Sequence, residues 1–380
     1  MGGTPSPSFV GVLNPPSVEA ISGRDRIDAT HRPSRDFLSY IDQFRAVAII
    51  FIVAGHSFFL MDWDQQALLP RAVTAIVADG TLMFLFIAGF LFKHLMGQYD
   101  TRKYYFAKLR NVILPYMLVS IPAIVRLLMS PHEHRFIPSD FFDWSIWWQV
   151  PWLYATGAHL GPFWFIPMIA VIYLIAPLLV WLDRDGRIYY ALPVLYVASL
   201  FIHRPENNLG VLHAFLFNLP IYLLGMWSAG NLDRVLAFVA RFRVPMILGW
   251  ATLVALGAWV LVDPDNTFAP DLFALPDDII SWITIQKTIL TFLLLYYLHK
   301  HQRLIGSRLR PIAAASFGIF FVHFYIQTAI WILKGKLDFS LSGGVIGYLA
   351  VTAFLFVSSF AVVTATKAIF GSRSRILIGS

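Results

Sequence analysis

Apolar positions gather in ten runs of roughly 20 residues, at about 39–60, 73–95, 105–129, 162–182, 188–203, 210–229, 244–263, 278–299, 311–333 and 343–369. At ~1.5 Å of helix per residue such a run matches the hydrocarbon thickness of a bilayer, so each predicts a spanning helix. The fifth run is short. Residues 141–157 (FFDWSIWWQVPWLYATG) are Trp-rich but brief and interrupted by Pro151, which predicts an interfacial or re-entrant segment. Residues 1–36 are rich in Pro, Gly and Ser, hold Arg24, Arg26, Arg32 and Arg35, and contain no signal-peptide core. They read as a disordered tail. The expected fold class is an all-α integral membrane protein, a bundle of about ten transmembrane helices over 37–370, with a second short tail over 371–380.

Composition agrees. The chain is 58% hydrophobic and 13% charged, against about 25% charged in soluble domains. Its 33 Phe and 12 Trp suit bilayer packing and interfacial belts. With no cysteine, disulfides, thiolate nucleophiles and Cys-based metal sites are excluded. The net charge of +7 is explained without nucleic acid by its distribution. With the N-terminus in the cytoplasm, 21 of the 29 Lys and Arg fall on the cytoplasmic side and 5 on the other. That asymmetry supports ten spans with both termini cytoplasmic.

Ionisable groups inside spans are expensive and mark candidate sites. The first run, IDQFRAVAIIFIVAGHSFFL, holds Arg45 and His56. Eleven residues make about three turns plus ~20°, so both share one helix face, roughly 16 Å apart along the axis. His56 is either a core histidine bonded to a carbonyl or a general base. Arg45 either snorkels, pairs with Asp42, or clamps an anion. Lys103, Lys108 and Arg110 open the third span as a basic anchor or an anion funnel. His323 and Ser316, seven apart in the ninth span, share a face. Lys287 and Arg126 are further cations inside runs, and Lys287 needs a partner. His159, Trp164 and Phe165 stand at the outer start of the fourth span, where a Trp forms a belt or a sugar-stacking wall. The chain has no Gly-rich phosphate loop, no HExxH and no serine elbow, so histidine and arginine remain as the chemistry. One reading of such a cavity is a transporter or flippase of an anionic lipid-linked sugar.

Six segments in order resemble the membrane acyltransferase family 3. QFRAVAIIFIVAGH is similar to its first-helix signature, in which Arg, ten residues and His recur. DGTLMFLFIAGFLF, KLRNVILPY, GPFWFIPMIAVIYLIAPLL, LPIYLLGMW and SFGIFFVHFYI follow, covering about 38 to 370. The resemblance implies a bacterial inner-membrane enzyme that takes an acyl group, usually acetyl, from cytoplasmic acyl-CoA. The acceptor is a hydroxyl of a carbohydrate or glycolipid across the membrane, so polysaccharide O-acetylation is the expected class. Acyl-CoA then serves as substrate, with no bound cofactor and no metal; the partners are the glycan acceptor and membrane lipids. By position, His56 is the essential histidine and Arg45 its partner. Lys108 and Arg110 lie on the donor side, and His323 is the late-span histidine; apart from the resemblance, the shared face of Ser316 and the belt position of Trp164 make both candidate substrate-binding residues. Ala88 stands where the family has Ser, Lys108 and Asn111 replace arginines, and Phe replaces Tyr at 317 and 320.

Overall fold

The computed structural model describes residues 39–64, 67–129, 137–205, 209–259, 268–269 and 280–380. The expected tail over 1–36 lies outside them. The described helices are α1 (Ser39–Phe58), α2 (Leu68–Val77), α3 (Gly80–Leu95), α4 (Thr101–Lys108), α5 (Leu114–Met129), α6 (Ile146–Thr156), α7 (Phe165–Leu174), α8 (Ala176–Arg184), α9 (Ile188–Ile202), α10 (Val211–Gly230), α11 (Leu232–Trp259), α12 (Trp282–Lys300), α13 (Gln302–Leu337), α14 (Val345–Phe370) and α15 (Ser374–Ile378). Two short strands, β1 (Arg204–Pro205) and β2 (Phe268–Ala269), pair in parallel with Arg204 opposite Phe268.

The protein is an all-α membrane protein. Among the described residues, seven helical stretches are long and apolar enough to cross a bilayer, or eight if α6 and Gly161–Leu174 count as one bent span. The sequence runs are mainly helical in their described parts, with breaks at Ala78–Asp79 and Ile175; the difference from ten lies in length and polarity. α9 has only 15 residues. α12 has 19 and buries Thr284, Gln286, Lys287 and Thr291, a polar stripe that lowers its hydropathy. The Trp-rich segment is helix α6, turned by 79° from the helix that follows. Gly157 makes that turn at φ 74, and a Cβ there would collide with the backbone of Phe163 and Trp164.

Two further breaks have local causes. α4 passes into α5 through a π-helical turn, Leu109–Ile113. Pro115 follows it, and its ring would clash with the carbonyl four residues earlier, so the wider turn accommodates it. α2 and α3 form one 31-residue crossing, Leu68–Gln98, interrupted at Ala78–Asp79. Asp79 takes a left-handed φ of 54.

Lipid is as apolar as a helix surface, so membrane helices associate through close packing. α3 and α10 cross backbone to backbone. A Cβ on Gly89 would collide with the Tyr222 carbonyl, and one on Gly225 with the Phe86 carbonyl. Phe86, Phe90 and Tyr222 are fully buried around the crossing. α11 and α14 sit at the periphery, with 6% and 17% of their most apolar windows buried, as suits helices turned to lipid. Residues 371–380 fold back on α5 and α13: Gly379 lies against Phe317, and Ser374 Oγ donates to the Ser380 carbonyl at 2.6 Å.

Asp62 closes the end of the bundle nearest His56. Its carboxylate accepts from Lys334 Nζ at 2.5 Å and from the Leu341 N–H at 2.8 Å. Both bonds hold the Asp62 carboxyl below its ordinary range, the Lys334 bond more strongly. A depressed carboxyl contributes while ionised and stops as pH falls through its lowered pKa. Protease cleavage near Asp62 is therefore expected to rise only below the ordinary aspartate range, and to be pH-independent in Asp62→Asn. A second expectation concerns the crossing: Gly89→Ala and Gly225→Ala each cost about 1–3 kcal/mol of stability, seen as a lower thermal midpoint in detergent.

Candidate active site

α1 and α13 run parallel, joined by a ladder of polar contacts. Arg45 Nη2 donates to Ser316 Oγ at 3.2 Å. Farther along, His56 Nδ1 and His323 Nε2 are 2.9 Å apart. Trp331 Nε1 then donates to the Phe59 carbonyl at 3.3 Å, and Lys334 Nζ to that of Leu60 at 3.2 Å. The spacing of eleven on α1 and seven on α13 turns each polar pair inward, because both intervals close on nearly whole turns.

Hydrogen-bond direction fixes the tautomers. His323 Nδ1 lies 3.0 Å from the Ile319 carbonyl, which can only accept. Neutral His323 therefore carries its proton on Nδ1 and offers a lone pair at Nε2. His56 Nδ1 must then donate to it, which leaves the lone pair of His56 on Nε2. The chain of donation runs His56 to His323 to the Ile319 carbonyl. His323 is fully buried, whereas His56 is partly accessible. The Phe324 ring packs edge-on to His56 at 5.6 Å, and Gly161 leaves room for that ring.

The break between α2 and α3 flanks this site. A Cβ on Gly55, beside His56, would stand 3.4 Å from the Val77 carbonyl, and one on Gly80 would stand 3.1 Å from the Ile52 nitrogen. Interrupted backbone at membrane depth persists only where protein or a polar cavity satisfies it. Here Lys287 Nζ donates to the Ile76 carbonyl, freed at the end of α2, and sits 5.3 Å from the Phe51 ring. Asp79 forms an ion pair with Arg204, whose guanidinium lies 4.6 Å over the Trp164 ring. Both sides of the pair are backbone outliers: Asp79 has φ 54, and His203, next to Arg204, has φ 58 with ψ 178. Such conformations cost about 1–3 kcal/mol each and persist where surrounding structure demands them.

The sequence candidates divide. His56 with His323, and Arg45 with Ser316, come together. Arg45 also has Asp42 at 3.6 Å, with 31% and 42% of the two side chains exposed. Trp164 is buried beneath Arg204. Lys108 does not project into an open mouth: its ammonium lies 4.5 Å from the Tyr173 ring and 5.2 Å from that of Tyr104. Arg110 is exposed on the π-helical turn, and Arg126 is exposed in the last turn of α5. His159 packs on Phe163 and Tyr116, with Nδ1 against the Leu153 carbonyl at 3.0 Å. The partner of Lys287 is a backbone carbonyl. Sequence reasoning missed Asp79 and Arg204. Asp79–Gly80 is a turn dipeptide with a carboxylate inside an apolar run, and was legible as such; Arg204 counted only as a loop charge.

The acyltransferase domain family matches residues 38–367. The chain belongs to this family. No curated protein and no solved structure gives a match. The acyltransferase thus has its matched region beginning at α1 and ending within α14, and all the polar contacts around the two histidines fall inside it.

The Asp79–Arg204 pair is only 16% and 17% exposed. Removing one partner of a buried pair strands the other charge, at about 3–5 kcal/mol. Asp79→Asn and Arg204→Gln are each expected to lower the thermal midpoint, and Asp79→Asn/Arg204→Gln to lose less than the sum.

Proposed function

We propose that this acyltransferase moves an acyl group, acetyl above all, from cytoplasmic acyl-CoA to a hydroxyl of a carbohydrate or glycolipid on the far side of a bacterial inner membrane. His56 is the general base. What carries the reading is the direction of hydrogen bonding through His323, which leaves a lone pair on Nε2 of the accessible histidine. His323, held by the Ile319 carbonyl, positions His56 and accepts from its Nδ1, so the imidazolium formed during turnover has a partner.

In the step itself, the acceptor oxygen bonds to the thioester carbonyl carbon as its proton passes to His56 Nε2. The tetrahedral intermediate collapses with rupture of the carbon–sulfur bond, and the departing thiolate recovers the proton from His56. A histidine-bound acyl intermediate is the variant in which Nε2 attacks first. Arg45 holds the anionic end of the donor. Its exposed pairing with Asp42 is weak, so most of its positive field remains. The Arg–His separation of roughly 16 Å along α1 is of the order of an extended pantetheine arm. Arg110 and Lys108 add positive potential on the donor side. The excess of Lys and Arg at that end supports a cytoplasmic donor face and cytoplasmic termini. Trp164 acts on the acceptor side through Arg204, whose guanidinium covers its buried ring.

The test is release of free CoA thiol in proteoliposomes given acetyl-CoA and a glycoside acceptor. His56→Ala is expected to lower the rate by about 10²–10⁴-fold at equal membrane abundance, with a smaller loss in His323→Gln. Wild-type-like release from His56→Ala would overturn the base assignment, and release in neither protein would overturn the donor.

A further inference from the structure

Gln327 is fully buried, and among the described residues neither its amide oxygen nor its amide nitrogen has a hydrogen-bond partner. It lies one helical turn beyond His323 on α13, about 6 Å along the axis and some 40° around it. The ladder described above brackets it. His323 meets His56 on one side, and Trp331 meets the Phe59 carbonyl on the other. Positions 323, 327 and 331 therefore form one stripe, ~80° wide, turned towards the last turn of α1. A buried primary amide left unpaired costs about 1–3 kcal/mol, and native proteins keep few such groups without a use.

We infer that Gln327 is the acceptor-recognition residue, its amide binding the hydroxyl adjacent to the one being acylated. This rests on the acyl-transfer reading above. A primary amide offers one acceptor and one donor side by side. A vicinal diol presents the complementary pair: one hydroxyl donates to Oε1 while the oxygen of its neighbour accepts from Nε2. Seated one turn from the histidine pair, this contact holds the diol against the α1 end at which His56 Nε2 carries its lone pair. A site built to hydrogen-bond a hydroxyl rejects an analogue lacking it, because its own polar atoms are then left unpaired. Gln327 thus selects vicinal diols over isolated alcohols. It is a specificity residue, separate from the proton chemistry.

The test pairs Gln327→Leu, which keeps the volume and removes both polar atoms, with two kinds of acceptor. These are octyl glucoside and its mono-deoxy analogues, with acetyl-CoA as donor in proteoliposomes. Wild type is expected to favour the parent glycoside over the analogue missing the neighbouring hydroxyl by tenfold or more in kcat/KM. Gln327→Leu is expected to erase that preference through a raised KM for the parent. Its KM for acetyl-CoA stays within about twofold, and its thermal midpoint is equal or higher, since an unpaired amide is gone. Retained discrimination in Gln327→Leu, or a lowered midpoint with unchanged acceptor KM, would assign Gln327 to structure and overturn the inference. Failure of His56→Ala to slow transfer would strike the base assignment alone and leave the discrimination measurement standing.

Discussion

The hydrogen bond between His56 and His323 is the constraint on which the arrangement depends. Two imidazoles in an apolar interior cannot both donate to one another. The Ile319 carbonyl breaks the symmetry by claiming the Nδ1 proton of His323. A main-chain atom of α13 thereby dictates the protonation pattern of a side chain on α1. Buried networks of this kind hold when every member has its partner and fail badly otherwise. The parallel pairing of α1 with α13 keeps the members in register, and the contacts at both ends of that pairing, Arg45 with Ser316 and Asp62 with Lys334, stop the helices from sliding.

Around this pair the bundle tolerates features that a membrane interior ordinarily forbids. A helix is interrupted at Asp79, a lysine is fully buried, and an ion pair joins Asp79, at positive φ, to Arg204, which follows the positive-φ His203. Each is answered locally. Lys287 satisfies the carbonyl end of α2, Arg204 neutralises Asp79, and Trp164 covers the guanidinium. These answers come from α12, β1 and the entrance to α7, far apart in the chain. The interrupted helix and its supports are therefore one unit, and the polarity concentrated there matches the expectation that ionisable groups in membranes mark function.

The sequence made the helices legible because bilayer thickness imposes one length on every span, and the run of apolar residues records it. It also marks as spans two helices, α9 and α12, that shortness or a polar stripe sets apart from the seven long apolar stretches among the described residues. Arg45 and His56 were legible because an eleven-residue interval fixes their common face without any tertiary knowledge. The meeting of His56 with His323 was not, since nothing in a linear order says which helix is the neighbour of α1. Lys108 shows the same limit from the other direction. Its charge suggested an open mouth, while tyrosines distant in the chain enclose it. Gln327 was overlooked because an amide in a helix looks ordinary until its burial is known.

The crossing of α3 with α10 has a mechanical corollary. Where two main chains touch with no side chains between them, nothing soft remains to deform, and the two helices move as a single strut. Compliance has to reside elsewhere, in the side-chain contacts of α11 and α14, the helices most turned to lipid. Since α3 begins one residue after Asp79, the strut anchors one side of the histidine pair, and any breathing that admits a bulky substrate falls to the opposite side.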